Sequence, residues 1–311
     1  MTTRLRRSID SAAALLAGAG IDSARRDAEE LAAHLAGTDR GRLSLLETPD
    51  DEFFRRYRDV LAARSRRVPL QHLVGTAAFG PLFLQVGPGV FIPRPETEAV
   101  LEWATSRPLG ARPVIVDMCT GSGALAVALA RHRAGLGLDA RIIGIDDSAS
   151  ALDYARRNAE GTAVELVHAD VSELAGNPGL LAELDGGVDL VVANPPYVPD
   201  DSVSNALLEP EVVRHDPHHA VFGGPDGMAV IAPVVALSGR WLRPGGLFAV
   251  EHDDTTAART AQLVQDTGLF DDVQCRRDLA GRPRFVTARR SGAHDSRRDD
   301  AERSDEEKRR P

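Results

Sequence analysis

Val114-Ile115-Val116-Asp117-Met118-Cys119-Thr120-Gly121-Ser122-Gly123 decides the fold. A β-branched apolar run breaks into a turn of small residues, and the turn opens an alanine- and leucine-rich segment at 124–132 with helical patterning. Runs that are apolar throughout suit parallel strands covered by helices on both faces. Glycines at the turn let a ligand approach the backbone and let strand and helix pack closely. The spacing is not the dinucleotide pattern GxGxxG and no lysine follows, which disfavours NAD and nucleoside triphosphates.

The same alternation continues outward. Apolar runs recur at 142–146, 164–168, 188–193 and 247–251, with helical patterns at 149–158 and 228–242. Strands alternating with helices predict an α/β fold with a mostly parallel, doubly wound sheet. Val273 and the run 284–288 would add a final antiparallel pair. Upstream, residues 1–68 read as a small helical bundle: one helix from Thr3 to Gly18, a second capped by Ser23, and a third from Asp50 to about Arg66. Arg4, Arg6 and Arg7 ahead of an apolar stretch loosely mimic an export signal. Asp10 interrupts that stretch, however, and Leu5, Ile9, Leu15 and Leu16 fall at helical spacing, so an amphipathic helix is the better reading. Residues 69–95 read as a β-hairpin linker, because Leu82, Leu84 and Val86 alternate between glycines and prolines. Residues 96–290 form the main domain. The charged tail at 291–311 is expected to be disordered.

Charge and composition exclude several chemistries. Residues 1–68 carry 13 basic and 11 acidic side chains and the tail 6 and 7, which leaves 18 and 28 for residues 69–290. An acidic main domain disfavours a nonspecific grip on nucleic-acid phosphates. The only lysine is Lys308, in the tail, so the folded body has no P-loop or Schiff-base lysine. No run is apolar long enough for a membrane span. Cys119 and Cys275 form no CxxC or metal-like pair, which fits a reduced, cytoplasmic protein. His72, His168, His252 and the group His215, His218 and His219 lack ligand spacing, so no metal is expected.

Three further features point to a small-molecule site. Asp146, at a strand end about 20 residues past the glycine turn, can bind both hydroxyls of a ribose or cap the next helix. Asp170 can accept from an exocyclic amine, with Val171 against the ring, or cap a loop. Asn194-Pro195-Pro196-Tyr197 follows the fourth apolar run. Its prolines give a rigid turn poor in donors, Asn194 offers a carboxamide oxygen, and Tyr197 offers an aromatic face.

Asn194-Pro195-Pro196-Tyr197, with the glycine turn and the acidic strand ends, resembles the amino-methyltransferase branch of the class I (Rossmann-like) methyltransferases. Pro93-Arg94-Pro95-Glu96-Thr97-Glu98, Pro69-Leu70-Gln71-His72 and Asp278-Leu279-Ala280-Gly281-Arg282 narrow the resemblance to the HemK/PrmC family, over residues 3–290. That family methylates the glutamine of the Gly-Gly-Gln motif in peptide chain release factors. The resemblance implies S-adenosylmethionine as cofactor, a release factor as partner, and a monomer that binds no nucleic acid directly.

On the same resemblance, Asp117, Cys119, Thr120, Gly121, Ser122, Gly123, Asp146, Asp170, Val171 and Asn194 bind the cofactor, and residues 1–68 recognise substrate. Asn194, Pro195 and Tyr197 act on the glutamine amide, while Pro196 and Arg94 complete the substrate site. The segment 93–98 would sit at the cleft mouth, or serve as a tight turn with a helix starting at Thr97. Two positions depart from the family. Cys119 stands where glycine is usual, and Glu251-His252-Asp253 replaces Glu-x-Gly. Three other readings are weighed: methylation of a ribosomal protein glutamine, a nucleic-acid amino-methyltransferase, and a non-catalytic binding protein on the same fold.

Overall fold

The computed structural model describes residues 2–200 and 208–292. The expectation of a disordered tail falls almost wholly on residues outside that range.

The N-terminal helices are α1 (Thr3–Gly18), α2 (Ala24–Leu35), α3 (Asp51–Ser65) and the short α4 (Leu70–Val74). Leu5, Ile9, Ala12 and Leu16 of α1 are buried against Leu31 and Phe54. Leu15, assigned to the same stripe from sequence, is 51% exposed. Thr2 caps α1 through Leu5 N, and Asp50 caps α3 through Phe53 N at 2.8 Å. Ser23 precedes α2 but makes no cap bond; its hydroxyl donates to Asp27 at 2.7 Å. Asp27 in turn holds the buried Arg64 at 2.7 Å. The segment after residue 68 opens on α4 rather than on extended chain. Only then comes the hairpin, β1 (Thr76–Phe79) paired antiparallel with β2 (Leu82–Gln85). The 3-10 turn Pro95–Thr97 and α5 (Glu98–Thr105) lead into the main sheet.

That sheet runs β5-β4-β3-β6-β7-β9-β8. Its parallel part is β3 (Val114–Met118), β4 (Arg141–Asp146), β5 (Val164–His168), β6 (Val188–Ala193) and β7 (Leu242–Glu251). The final pair, β8 (Phe270–Arg277) and β9 (Pro283–Arg290), is antiparallel and longer than the sequence pattern suggested. The crossovers are α6 (Ala124–Gly135), α7 (Ala149–Asn158), α8 (Val171–Gly176), α9 (Pro210–His215), α10 (His218–Val221), α11 (Ile231–Trp241) and α12 (Ala257–Asp266). Both sheet faces are covered. Val116, Val191 and Phe248 pack with Trp241 and Val234 on one side, and Ile115, Leu190 and Ala249 pack with Leu125 and Trp103 on the other. This is why the strands are apolar throughout.

The chain winds from β3 out to β5, then returns to pair β6 with the other edge of β3. The order reverses at β3, and ligands bind beyond the strand carboxyl ends at such a switch point. Among the described residues no helix is long and apolar enough to cross a membrane.

Candidate active site

A cavity of about 280 Å³ opens beyond the ends of β3, β4 and β6. That is close to the lower end of the range for small-molecule sites, ~300–1,000 Å³. The glycine turn forms its floor. Gly123 has φ +83, and a Cβ there would lie 3.4 Å from Ala155 Cβ, so glycine serves both backbone and packing. Cys119 adopts φ +59 without being glycine. This left-handed conformation accounts for glycine being usual there, and it costs about 1–2 kcal/mol with a side chain. Burial, then the nearby Asp146 and Asp117, push the Cys119 thiol well above its usual range. The group is therefore a small inert side chain rather than a nucleophile.

Asp146 accepts from Gly121 N at 2.8 Å and from Ser148 N at 3.0 Å. Ser148, not Asp146, caps α7 through Ala151 N. Asp146 thus ties the glycine turn to β4, and each of its oxygens keeps acceptor capacity toward the cavity it lines. Asp170 does cap α8, through Ser172 N at 2.6 Å, yet it also lines the cavity beside Val171. The cap reading of Asp170 therefore holds, and the same residue stands in the cavity wall. Asp117 is 1% exposed; one oxygen accepts from Thr120 Oγ1 at 2.5 Å and Ala126 N at 3.0 Å, and Oδ1 has no partner among the described residues. Burial raises its pKa to about 7. Thr120, Gly121 and Ser122 line the same wall.

Asn194 and Pro196 also line the cavity, whereas Pro195 is buried behind them. Asn194 Nδ2 donates to Thr97 Oγ1 at 3.1 Å. The Tyr197 hydroxyl donates to Glu251 Oε1 at 2.9 Å, so its tip points to β7 rather than into the cavity. The turn is clamped from one side. Val198 N bonds Val221 O at 3.0 Å, Gly223 N bonds Val198 O at 2.9 Å, and a Cβ on Gly223 would sit 2.6 Å from Pro196 O. Glu251 is fully buried, and desolvation raises its pKa to about 7 against the pull of Thr97, Tyr197 and Arg284. Arg94 is turned away: it pairs with Asp216 at 2.5 Å and lies over Phe91. Phe91, not Arg94, reaches the cavity wall, together with Thr97, His219 and Phe222. These four were not assigned to the site from sequence, apart from Thr97 as part of segment 93–98.

Comparison with known proteins agrees with this architecture. A family model described as the PrmC N-terminal domain matches residues 8–75, and one described as a methyltransferase domain matches residues 115–211. A release factor glutamine methyltransferase of Mycobacterium tuberculosis is 73% identical over 288 residues, covering 93% of this chain and 92% of that one. The chain belongs to the HemK/PrmC family. A Streptomyces coelicolor member with the same name is 45% identical and covers 89% of this chain and 94% of its own. A Streptomyces pristinaespiralis relative, named as a 4-amino-L-phenylalanine/4-methylamino-L-phenylalanine methyltransferase, is 37% identical and covers 88% and 91%.

S-adenosylmethionine is the cofactor of this HemK/PrmC chain. The cavity suits it chemically. Asp117, Asp146, Asp147 and Asp170 line the walls, and among the described residues no lysine or arginine does. Burial raises the pKa of Asp117 and Asp146, and a cationic ligand would draw such carboxyls into their charged form, so the lining favours a cation over a phosphate-bearing ligand. The unpartnered Asp117 Oδ1 gains from a nearby positive charge. Among the described residues no cluster of His, Cys, Asp or Glu could hold a metal ion.

Proposed function

We propose that this chain transfers a methyl group from S-adenosylmethionine to the side-chain amide nitrogen of the glutamine in the Gly-Gly-Gln motif of peptide chain release factors. The observation that carries the reading is Asn194, at the edge of an anionic cavity, with its amide nitrogen spent on Thr97 and its oxygen left over. The glycine turn, Asp146, Asp170 and Val171 would hold the cofactor. When bound, it supplies an electrophilic methyl on a sulfonium centre.

An amide nitrogen is a weak nucleophile because its lone pair is delocalised. In this reading the Asn194 Oδ1 and the Pro195 carbonyl each accept one N–H of the substrate amide. Both protons would then be held by the protein, and the nitrogen lone pair would be left free toward a bound cofactor. Positioning of this kind supplies ~7–11 kcal/mol in favourable cases. Pro195 and Pro196 keep competing donors out of the turn, and Tyr197 braces it through Glu251. The proton leaves after transfer, so no strong base is needed. Identity of 73% to a release factor enzyme against 37% to an aryl-amine enzyme supports the protein substrate. The chain would act as a monomer in the cytoplasm, without contact to nucleic acid.

The test is methyl transfer from labelled S-adenosylmethionine to a purified release factor, wild type against a Gly-Gly-Ala mutant of its tripeptide. Label on the wild-type factor alone is expected. Label on neither factor, or equal label on both, overturns the assignment and makes ribosomal protein the next substrate to try.

A further inference from the structure

Thr97 bonds Asn194 and also favours the charged form of Glu251. Its hydroxyl oxygen accepts from Asn194 Nδ2 at 3.1 Å, and the residue is 3% exposed, so water does not compete for it. A hydroxyl that accepts still has one proton to place. The neighbouring acceptor is Glu251, whose carboxylate the Thr97 and Tyr197 hydroxyls both stabilise. Glu251 Oε1 already takes the Tyr197 hydroxyl at 2.9 Å, while Oε2 is buried and, among the described residues, has no hydrogen-bond partner. A buried carboxylate oxygen left alone is costly, which draws the Thr97 proton toward it.

We propose that Glu251 and Thr97 are positioning residues that lock the Asn194 amide in one orientation, with Nδ2 turned inward and Oδ1 turned toward the substrate. The proposal rests on the glutamine-methylating reading of the site. Above about pH 7, where Glu251 is ionised, it can only accept, so Thr97 donates to it. Thr97 then has only acceptor capacity left for Asn194, and the amide nitrogen is the group that satisfies it. A flipped Asn194 would set oxygen against the Thr97 oxygen and point an NH2 at the substrate NH2, donor against donor. An asparagine amide is nearly symmetric in shape, so packing alone does not choose between the two orientations. The polar relay does. It also gives a role to Glu251, although the residues that follow it depart from the Glu-x-Gly pattern.

The experiment uses the full chain, S-adenosylmethionine and a release factor. Thr97→Val keeps the shape and removes the hydroxyl. Its kcat is expected to fall roughly 10- to 100-fold, as for a misplaced reacting group. The Kd for S-adenosylmethionine and the KM for the release factor change less than kcat does, since Thr97 lines the cavity wall but its hydroxyl is engaged by Asn194. Thr97→Ser recovers most of kcat. Glu251→Gln, which can offer a donor in place of an acceptor, lowers kcat by at least about ten-fold. A purely structural role predicts no rescue by serine and a loss that follows melting temperature. Thr97→Val or Glu251→Gln with wild-type kcat, or Thr97→Ser as poor as valine, overturns the relay. Hydrogen exchange of the Asn194 side-chain NH2, assigned by NMR through its loss in Asn194→Ala, reads the relay without any substrate. Slow exchange in wild type that becomes fast in Thr97→Val or Glu251→Gln supports it, and fast exchange in wild type sinks it. A wild-type enzyme that leaves the release factor unlabelled yet shows protected Asn194 removes the substrate assignment and leaves the relay standing.

Discussion

Arg64 on α3 donates to Glu211 on α9 at 2.9 Å, although 147 residues separate them. Arg67 reaches the same carboxylate at 3.1 Å, and Arg64 also holds Asp27 inside the bundle. The N-terminal bundle therefore grips the main domain through α9, a few residues before Pro217, His219 and Phe222 enter the cavity wall. Arg64 and Asp27 are almost fully buried, and Glu211 is 13% exposed. Removing the guanidinium leaves the buried Asp27 without its cation, while Glu211 keeps only Arg67. Arg64→Ala is expected to lower unfolding free energy by about 3–5 kcal/mol. Arg112→Ala, which breaks an open surface pair with Asp139, should change it by under ~1 kcal/mol. Urea titrations followed by circular dichroism compare the two, and equal losses would remove the argument.

Gly223 carries no chemistry, yet it sets the shape of the site. A Cβ there would lie 2.6 Å from Pro196 O and 3.0 Å from Tyr197 Cα, both backbone atoms that cannot swing aside. Gly223→Ala should push the turn at 194–197 off its position, with an overpacking penalty of ~1–3 kcal/mol. Turnover should fall much more than cofactor affinity, because Asp146 and the glycine turn lie on other strands. Calorimetric binding of S-adenosylmethionine beside a turnover assay separates the two effects.

Much of this was legible in the sequence, and the misses have physical causes. The inner parallel strands declared themselves because two covered faces demand mostly apolar residues. Asp146 and Asn194 were legible because strand ends at a switch point are where ligands bind. Thr97 was not singled out, since a threonine at a helix start looks like a cap, and its bond to Asn194 spans 97 residues. Arg94 looked like a substrate contact until its partner appeared, and Asp216 lies 122 residues away. The short α4 was missed because five residues carry too little period to separate helix from strand. Leu15 followed the stripe of α1 but sits on its solvent edge, where spacing alone gives no warning.

Asp146 joins two jobs in one carboxylate: it holds Gly121 N and Ser148 N, and it lines the cavity. Asp146→Ala removes the charged acceptor and loosens the glycine turn. Hydrogen bonds to a charged group are worth about 1.5–3 kcal/mol each, so affinity for S-adenosylmethionine should drop roughly 10- to 100-fold or more. Asp170→Ala should weaken it less, because one Asp170 oxygen already serves the α8 cap. Isothermal titration of both variants gives the order, and tighter binding by Asp146→Ala than by Asp170→Ala would refute the assignment.

Asp117 makes stability depend on pH in an unusual direction. Its folded pKa of about 7 lies above the 3.8 expected of an exposed aspartate, because burial disfavours its charged form. The folded state therefore binds the proton more tightly than the unfolded state between those values. Stability contributed by this group is fullest below about pH 4, declines as pH rises toward 7, and is constant above. At 1.36 kcal/mol per pKa unit the loss is bounded by about 4 kcal/mol. Asp117→Asn keeps an oxygen for Thr120 Oγ1 and Ala126 N and cannot ionise. The free-energy difference between Asp117→Asn and wild type should therefore shift in favour of the variant between pH 5 and pH 8. Denaturant unfolding at pH 5, 6, 7 and 8 measures that difference, and comparing the two proteins cancels every other titrating group. A difference that does not move with pH would mean that Asp117 ionises at its ordinary value, through a donor or a water reaching Oδ1.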